Sequence, residues 1–275
     1  MNILKILENL SDKEVLSQKG SRRDSFQQFK NVGKNMALAS IPFGLAATSS
    51  KTKAATMSMA SAALQANPTD VLNFALTLEY LERNFYRMGL DTAGLIPSED
   101  QAVFQQISQH EDDHVDFLLA ALGDDAIEEP TFDFTGGPGG LSLDTFDNYQ
   151  TFIALSQGFE DTGVRAYKGQ AGALIDDDTL LTYALQVHSV EARHASQIRR
   201  MRGEKGWITQ SQNTLPNDFN AVYGGETPES NTVQGGVDLA GMFGSNGGDN
   251  GVTEAFDEPL TMAEVVAIAS IFIES

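Results

Sequence analysis

Two Glu-x-x-His segments, Glu111–His114 and Glu191–His194, constrain this chain more than any other feature. Each follows a lone acid in an apolar stretch, Glu79 before the first and Glu160 before the second, at offsets of 32 and 31 residues. Helix positions three apart share a face, so each pair aims a carboxylate oxygen and an imidazole nitrogen at one point. Two such halves folded together present four carboxylates and two imidazoles to a common cavity. That donor set suits a pair of first-row transition cations, because oxygens neutralise the ions while imidazole disfavours magnesium and calcium. The neighbours at helical spacing are apolar: Leu72 and Leu76 near Glu79, Ile107 and Val115 near Glu111, Ile153 and Val164 near Glu160, Val187 and Ile198 near Glu191. A carboxylate in an apolar stripe must be protonated, paired or metal-bound. Four at matching places argue for a shared counter-charge; without metal, several should bind protons.

The surrounding sequence predicts four helices. Helix A opens at Asn67-Pro68-Thr69-Asp70, which offers a cap, a first-turn proline and an acid at the positive dipole end, and runs to about Met88. Helix B runs from Pro97 to about Leu122, helix C from near Asp144 to about Gly172, and helix D from about Asp177 to Arg202, with basic residues in its last turn. Short A–B and C–D loops make two antiparallel hairpins. The glycine-rich B–C segment is long enough to cross a helix length of about 30 Å. The expected fold is all-α, a four-helix bundle at 58–206, with an N-terminal extension at 1–57 and a Gly/Asn-rich tail at 207–275. The tail is expected to be irregular until a short apolar helix at Met262–Glu274, which docks on the bundle or on a second subunit of a homo-oligomer. Gly224-Gly225 and the glycines of 244–251 form no phosphate-loop pattern.

Acidic residues number 38 against 18 basic, a net charge of -20, which argues against a nucleic-acid partner. Cysteine is absent, excluding disulfides, thiolate ligands and thiol catalysis. No apolar run reaches the length of about eighteen residues that a spanning helix needs, so no integral membrane span is expected. In the extension, Arg22-Arg23, the apolar run Met36–Ala47 and the small residues at Ala54-Ala55 resemble a twin-arginine export signal, implying a periplasmic destination. Ser25 stands where such signals are usually apolar. The amphipathic spacing of Ile3, Leu4, Ile6, Leu7 and Leu10 fits an extra docked helix instead, in a cytoplasmic protein.

The four helices with Glu79, Glu111/His114, Glu160 and Glu191/His194 resemble the ferritin-like di-iron carboxylate superfamily, whose known ligand pattern this is. More narrowly, Pro130–Phe134, Glu160–Tyr167, Val190–His194 and Phe256–Thr261 are similar to ferritin-like proteins related to plant desiccation-related protein and fungal stress proteins. The resemblance implies a bundle binding two iron ions, or manganese. Glu79 and Glu160 would be terminal ligands, Glu111 and Glu191 would bridge, and His114 and His194 would cap the ions. It implies oxygen or peroxide as partners and ferroxidase-like oxidation of ferrous iron. The alternatives are a stress or envelope protein whose metal is structural, and manganese catalase-like peroxide disproportionation. Around this set, Asp112 and Asp161 are expected to be solvated, with support of an imidazole as the alternative. Glu82 is expected to be an exposed helix charge, with ligation as the alternative. Tyr86 and Tyr167, each seven residues after a proposed terminal Glu, are expected to pack in the core, with electron gating or a bond to a ligand as the alternatives. His110 and His188 are expected to be ordinary side chains near the bundle, with metal contact as the alternative.

Overall fold

The computed structural model describes residues 67–212, 214–215, 217–242 and 247–274; the N-terminal extension, including the paired arginines and the apolar run, lies outside them. Four long helices dominate: α1 (Pro68–Asp91), α2 (Gln101–Leu122), α3 (Tyr149–Gln170) and α4 (Asp178–Met201). Helix α1 packs along α2, α3 along α4, and α1 against α3. The result is two antiparallel hairpins joined by the 123–148 crossover. None of the described helices is long and apolar enough to cross a membrane.

Local chemistry explains the helix starts. The Asn67 side chain accepts from Asp70 N at 2.9 Å, and Asp177 accepts from the amides of Thr179 and Leu180 at 3.0 Å. The third helix begins later than the expected Asp144. There, side chains compete with the helix: Asp144 accepts from Thr151 Oγ1 at 2.5 Å and from Asn148 at 3.0 Å, leaving Asn148 to cap Gln150 N at 3.0 Å. Residues 144–147 therefore form a turn.

The tail is more structured than its composition suggests. Helix α5 (Gly248–Thr253) and helix α6 (Met262–Ala269) follow a two-residue hairpin of strands β1 (Val233–Gln234) and β2 (Val237–Asp238). A Thr261–Glu264 capping box starts α6. Val265, Ile268 and Phe272 then bury in one core with Phe85, Phe134 and Phe159. The apolar helix thus docks on its own bundle, and is shorter than expected because the chain past Ala269 turns to pair with the crossover. Asp133 N donates to Phe272 O at 2.8 Å and Glu274 N to Thr131 O at 2.9 Å. Tail and crossover together cover α3, which is why Phe152–Ala166 is buried throughout.

Arg165 ties this covering to the bundle. Its fully buried guanidinium donates to the carbonyls of Glu258 (2.8 Å), Val222 (2.5 Å), Gly224 (3.0 Å) and Thr227 (2.8 Å), and pairs with Glu229 at 2.8 Å. The absence of a side chain at Gly169 lets the Leu260 carbonyl approach α3; a Cβ there would lie 1.9 Å from that oxygen. Replacing Arg165 with Met strands a buried carboxylate and several carbonyls. The expected cost is roughly 3–5 kcal/mol in urea unfolding; a loss below about 1 kcal/mol, the scale of an exposed ion pair, would contradict this anchoring role.

Candidate metal centre

All six sequence-predicted ligands meet inside the bundle. Glu79 comes from the middle of α1, Glu111 and His114 from α2, Glu160 from α3, and Glu191 and His194 from α4. The four carboxylates have no solvent exposure, His194 is buried, and the His114 side chain is 11% exposed. Ligand atoms of Glu79, Glu111, His114 and Glu191 lie within 4.8 Å of one another, as do those of Glu111, Glu160, Glu191 and His194. The two groups share Glu111 and Glu191. Each group could hold a metal ion, and each adds its own carboxylate and imidazole to the shared pair.

The imidazoles turn Nδ1 toward the acids. His114 Nδ1 lies 3.1 Å from both Glu79 Oε2 and Glu111 Oε2, and His194 Nδ1 lies 3.0 Å from Glu111 Oε1 and 3.2 Å from Glu160 Oε2. Several inward-facing atoms still lack a well-directed hydrogen bond, namely Glu111 Oε1, Glu160 Oε2, both Glu191 oxygens and His194 Nδ1. Unsatisfied buried acceptors are rare and costly. Gathered in one buried cluster, they are compatible with a metal site.

The protonation balance agrees. Burial, then repulsion from Glu111, Glu82 and Glu160, pushes the Glu191 carboxyl well above its usual range. Glu111 rises to about 7, driven by burial and opposed by its bonds to the two histidines. Burial disfavours charge on the imidazoles. The adjoining carboxylates overcome it, Glu111 and Glu79 for His114, Glu160 and Glu111 for His194, and both rings rise to about 10. Metal-free, the cluster holds protons where cations would sit.

Glu82 corrects the expectation of an exposed charge: it is 3% exposed. Burial, followed by the charges of Glu160, Glu111 and Glu79, raises its pKa well above the ordinary carboxylate value. The position that matches it in the second half, three residues after the lone Glu, is Gly163. A Cβ on Gly163 would lie 3.1 Å from Glu191 Oε2 and 3.4 Å from Glu82 Oε1. A Cβ there would crowd Glu191 and only touch Glu82, so the glycine leaves room chiefly for the Glu191 carboxyl.

The tyrosines pack in the core as expected and also bond to the cluster. Tyr86 donates to Glu160 and Tyr167 to Glu79, so each half's tyrosine holds the other half's terminal acid. The repeated offset of seven residues is the signal that points to them. Asp161 is buried, not solvated. It pairs with Arg199 at 2.6 Å and accepts from Tyr223 at 2.7 Å, which neutralises it locally. Asp112 pairs with Arg87 at 2.7 Å near the surface. Neither acid holds an imidazole. That contact comes instead from His110, against the expectation of an ordinary side chain: its Nδ1 lies 2.8 Å from His194 Nε2. His188 interacts with the Val164 backbone, Lys168 and Asp257, in keeping with an ordinary role.

Compared with known families, residues 67–204 match the one described as the ferritin-like domain, a span that opens at the cap of α1 and closes just past α4. No curated protein matches the chain.

Proposed function

The chain belongs to the ferritin-like domain family, and we propose that it binds two iron ions in the Glu/His cluster and oxidises ferrous iron with oxygen or peroxide. The observation that carries this reading is the sharing of Glu111 and Glu191 between two four-ligand groups. One bound cation would leave two of the six residues, a carboxylate and an imidazole, unused. A bound iron pair supplies the electrons for reducing the oxidant.

The protein's own contribution is positional. Glu79 and Glu160 are held by Tyr167 and Tyr86, so the terminal carboxylates keep their aim without solvent. Glu82 adds a fifth buried carboxyl, near Glu191 across Gly163, that can hold a proton or a charge as the balance changes. His114 lines a surface groove of about 210 Å³ with Phe117, Tyr183, Gln186, Val187 and Val190. We assign that groove to the passage of ions and oxidant. Consuming ferrous iron and peroxide together would serve the stress role that the desiccation-related resemblance implies.

Anaerobic loading with ferrous iron, then exposure to oxygen or peroxide, tests the proposal. Two ferrous ions per chain should bind and oxidise faster than in buffer. Two-metal binding with no faster oxidation by either oxidant would reduce the role to metal binding or bracing. Peroxide turnover only with manganese would favour the disproportionation alternative.

A further inference from the structure

We propose that His110 is a positioning residue that fixes His194 on its cation, so that the two ends of the cluster bind metal unequally, the His194 end more tightly. The inference rests on the two-cation reading and adds an asymmetry that the near-repeated motifs do not suggest.

The geometry at the His194 end is specific. His194 presents Nδ1 to Glu111 and Glu160, so a cation among them takes the lone pair of that nitrogen. The ring proton must then sit on Nε2, the atom 2.8 Å from His110 Nδ1. The two ring planes differ by 10° and the centroids are 5.1 Å apart. With nitrogens in contact, that separation means nearly coplanar rings meeting edge to edge, which puts the donor and the acceptor lone pair in line. His110 Nδ1 must accept, so its own proton sits on Nε2. Gln106, one turn earlier on α2, places its amide nitrogen 2.8 Å from that atom. A half-turn of the amide brings its oxygen there to accept. Only one order of donors satisfies the chain from cation to surface: His194 to His110 to Gln106.

Among the described residues, His114 has no such support. Its Nδ1 faces Glu79 and Glu111, and among the described residues no group hydrogen-bonds its Nε2. The groove lies on this side. A ligand imidazole bonded through its outer nitrogen is oriented and made more basic, and losing such a partner typically lowers metal affinity about 10–100-fold. The supported end therefore holds its cation, while the other end exchanges through the groove.

The test is anaerobic titration of the metal-free full-length protein with cobalt(II), read by visible absorption. Ring N–H signals of the zinc-loaded protein are followed by NMR. The wild type should fill in two resolved steps and show a slowly exchanging His194 Nε2–H, distinct from any signal of His110 or His188. His110→Ala should weaken the tighter step about 10–100-fold, leave the other unchanged and abolish that signal. His110→Asn, whose amide oxygen can accept, should restore most of both. Circular dichroism of the metal-free variants checks that the bundle is intact. Equal steps in the wild type, an unchanged tighter step in His110→Ala, or equal weakening of both steps would overturn the assignment of His110 alone. A wild type that binds no cation pair at all would overturn the underlying two-cation reading as well.

Discussion

Glu111→Ala and Glu191→Ala should each abolish tight binding at both cation positions, whereas Glu79→Ala and Glu160→Ala should each abolish it at one. The difference follows from membership: Glu111 and Glu191 contribute to both four-ligand groups, Glu79 and Glu160 to one apiece. Loss of a direct ligand should weaken each affected site by at least the roughly 100-fold seen for loss of an outer partner. Unfolding would not imitate this pattern. Glu79, Glu111 and Glu160 also pair with histidines or tyrosines, so their variants should melt lower without metal, and stoichiometry is read well below that melt. Metal content after equilibrium dialysis, with a parallel melt in chelator, separates the cases. Equal stoichiometry for all four variants would refute the bridging assignment.

Metal loading should also produce a large thermal shift with a definite pH dependence. Two cations at about 100 times their dissociation constants stabilise by roughly 2.7 kcal/mol each. For a domain of this size that raises Tm by roughly 10–20 °C. The sign with pH comes from the metal-free cluster. Glu111 in the folded state has a pKa of about 7, above its ordinary 4.5, so the folded protein holds an extra proton between those values. His114 and His194, raised from 6.5 to about 10, hold extra protons across that higher window. A folded state that binds more protons than the unfolded chain loses stability as pH rises. Metal-free stability from these groups should therefore decline from about pH 4.5 to 10. Cation binding displaces the protons and strengthens over the same range. The Tm gap between loaded and chelated protein should be wider at pH 8 than at pH 6. A gap that narrows with rising pH would contradict the displacement of protons by metal.

The six central residues were legible because their signal is local and repeated: a motif within one helical turn, an apolar stripe around it, and nearly the same offset in both halves. Helix starts at Asn67 and Asp177 were legible because a cap is a few adjacent residues. Features that depend on a distant partner were not. Nothing beside Glu82 marks it as buried; its surroundings include Glu160 and Gly163 of a helix some eighty residues away. His110 sits next to Glu111 in sequence and matters only because α4 brings His194 alongside. Arg165 reads as a helix charge, and its partners are mostly main-chain carbonyls of a polar, glycine-rich tail that carries no periodic signal. The Pro130–Phe134 segment behind the narrower family resemblance proves to be the strip of crossover that pairs with the chain end at Phe272 and Ile273.

Anomalous diffraction at the iron edge, from crystals of the protein loaded anaerobically with ferrous iron, tests the central claim most directly. Two peaks should appear between Glu111 and Glu191, one beside His114 and Glu79, the other beside His194 and Glu160. A fully loaded crystal whose iron lies elsewhere, with those six side chains in place around neither peak, would contradict it.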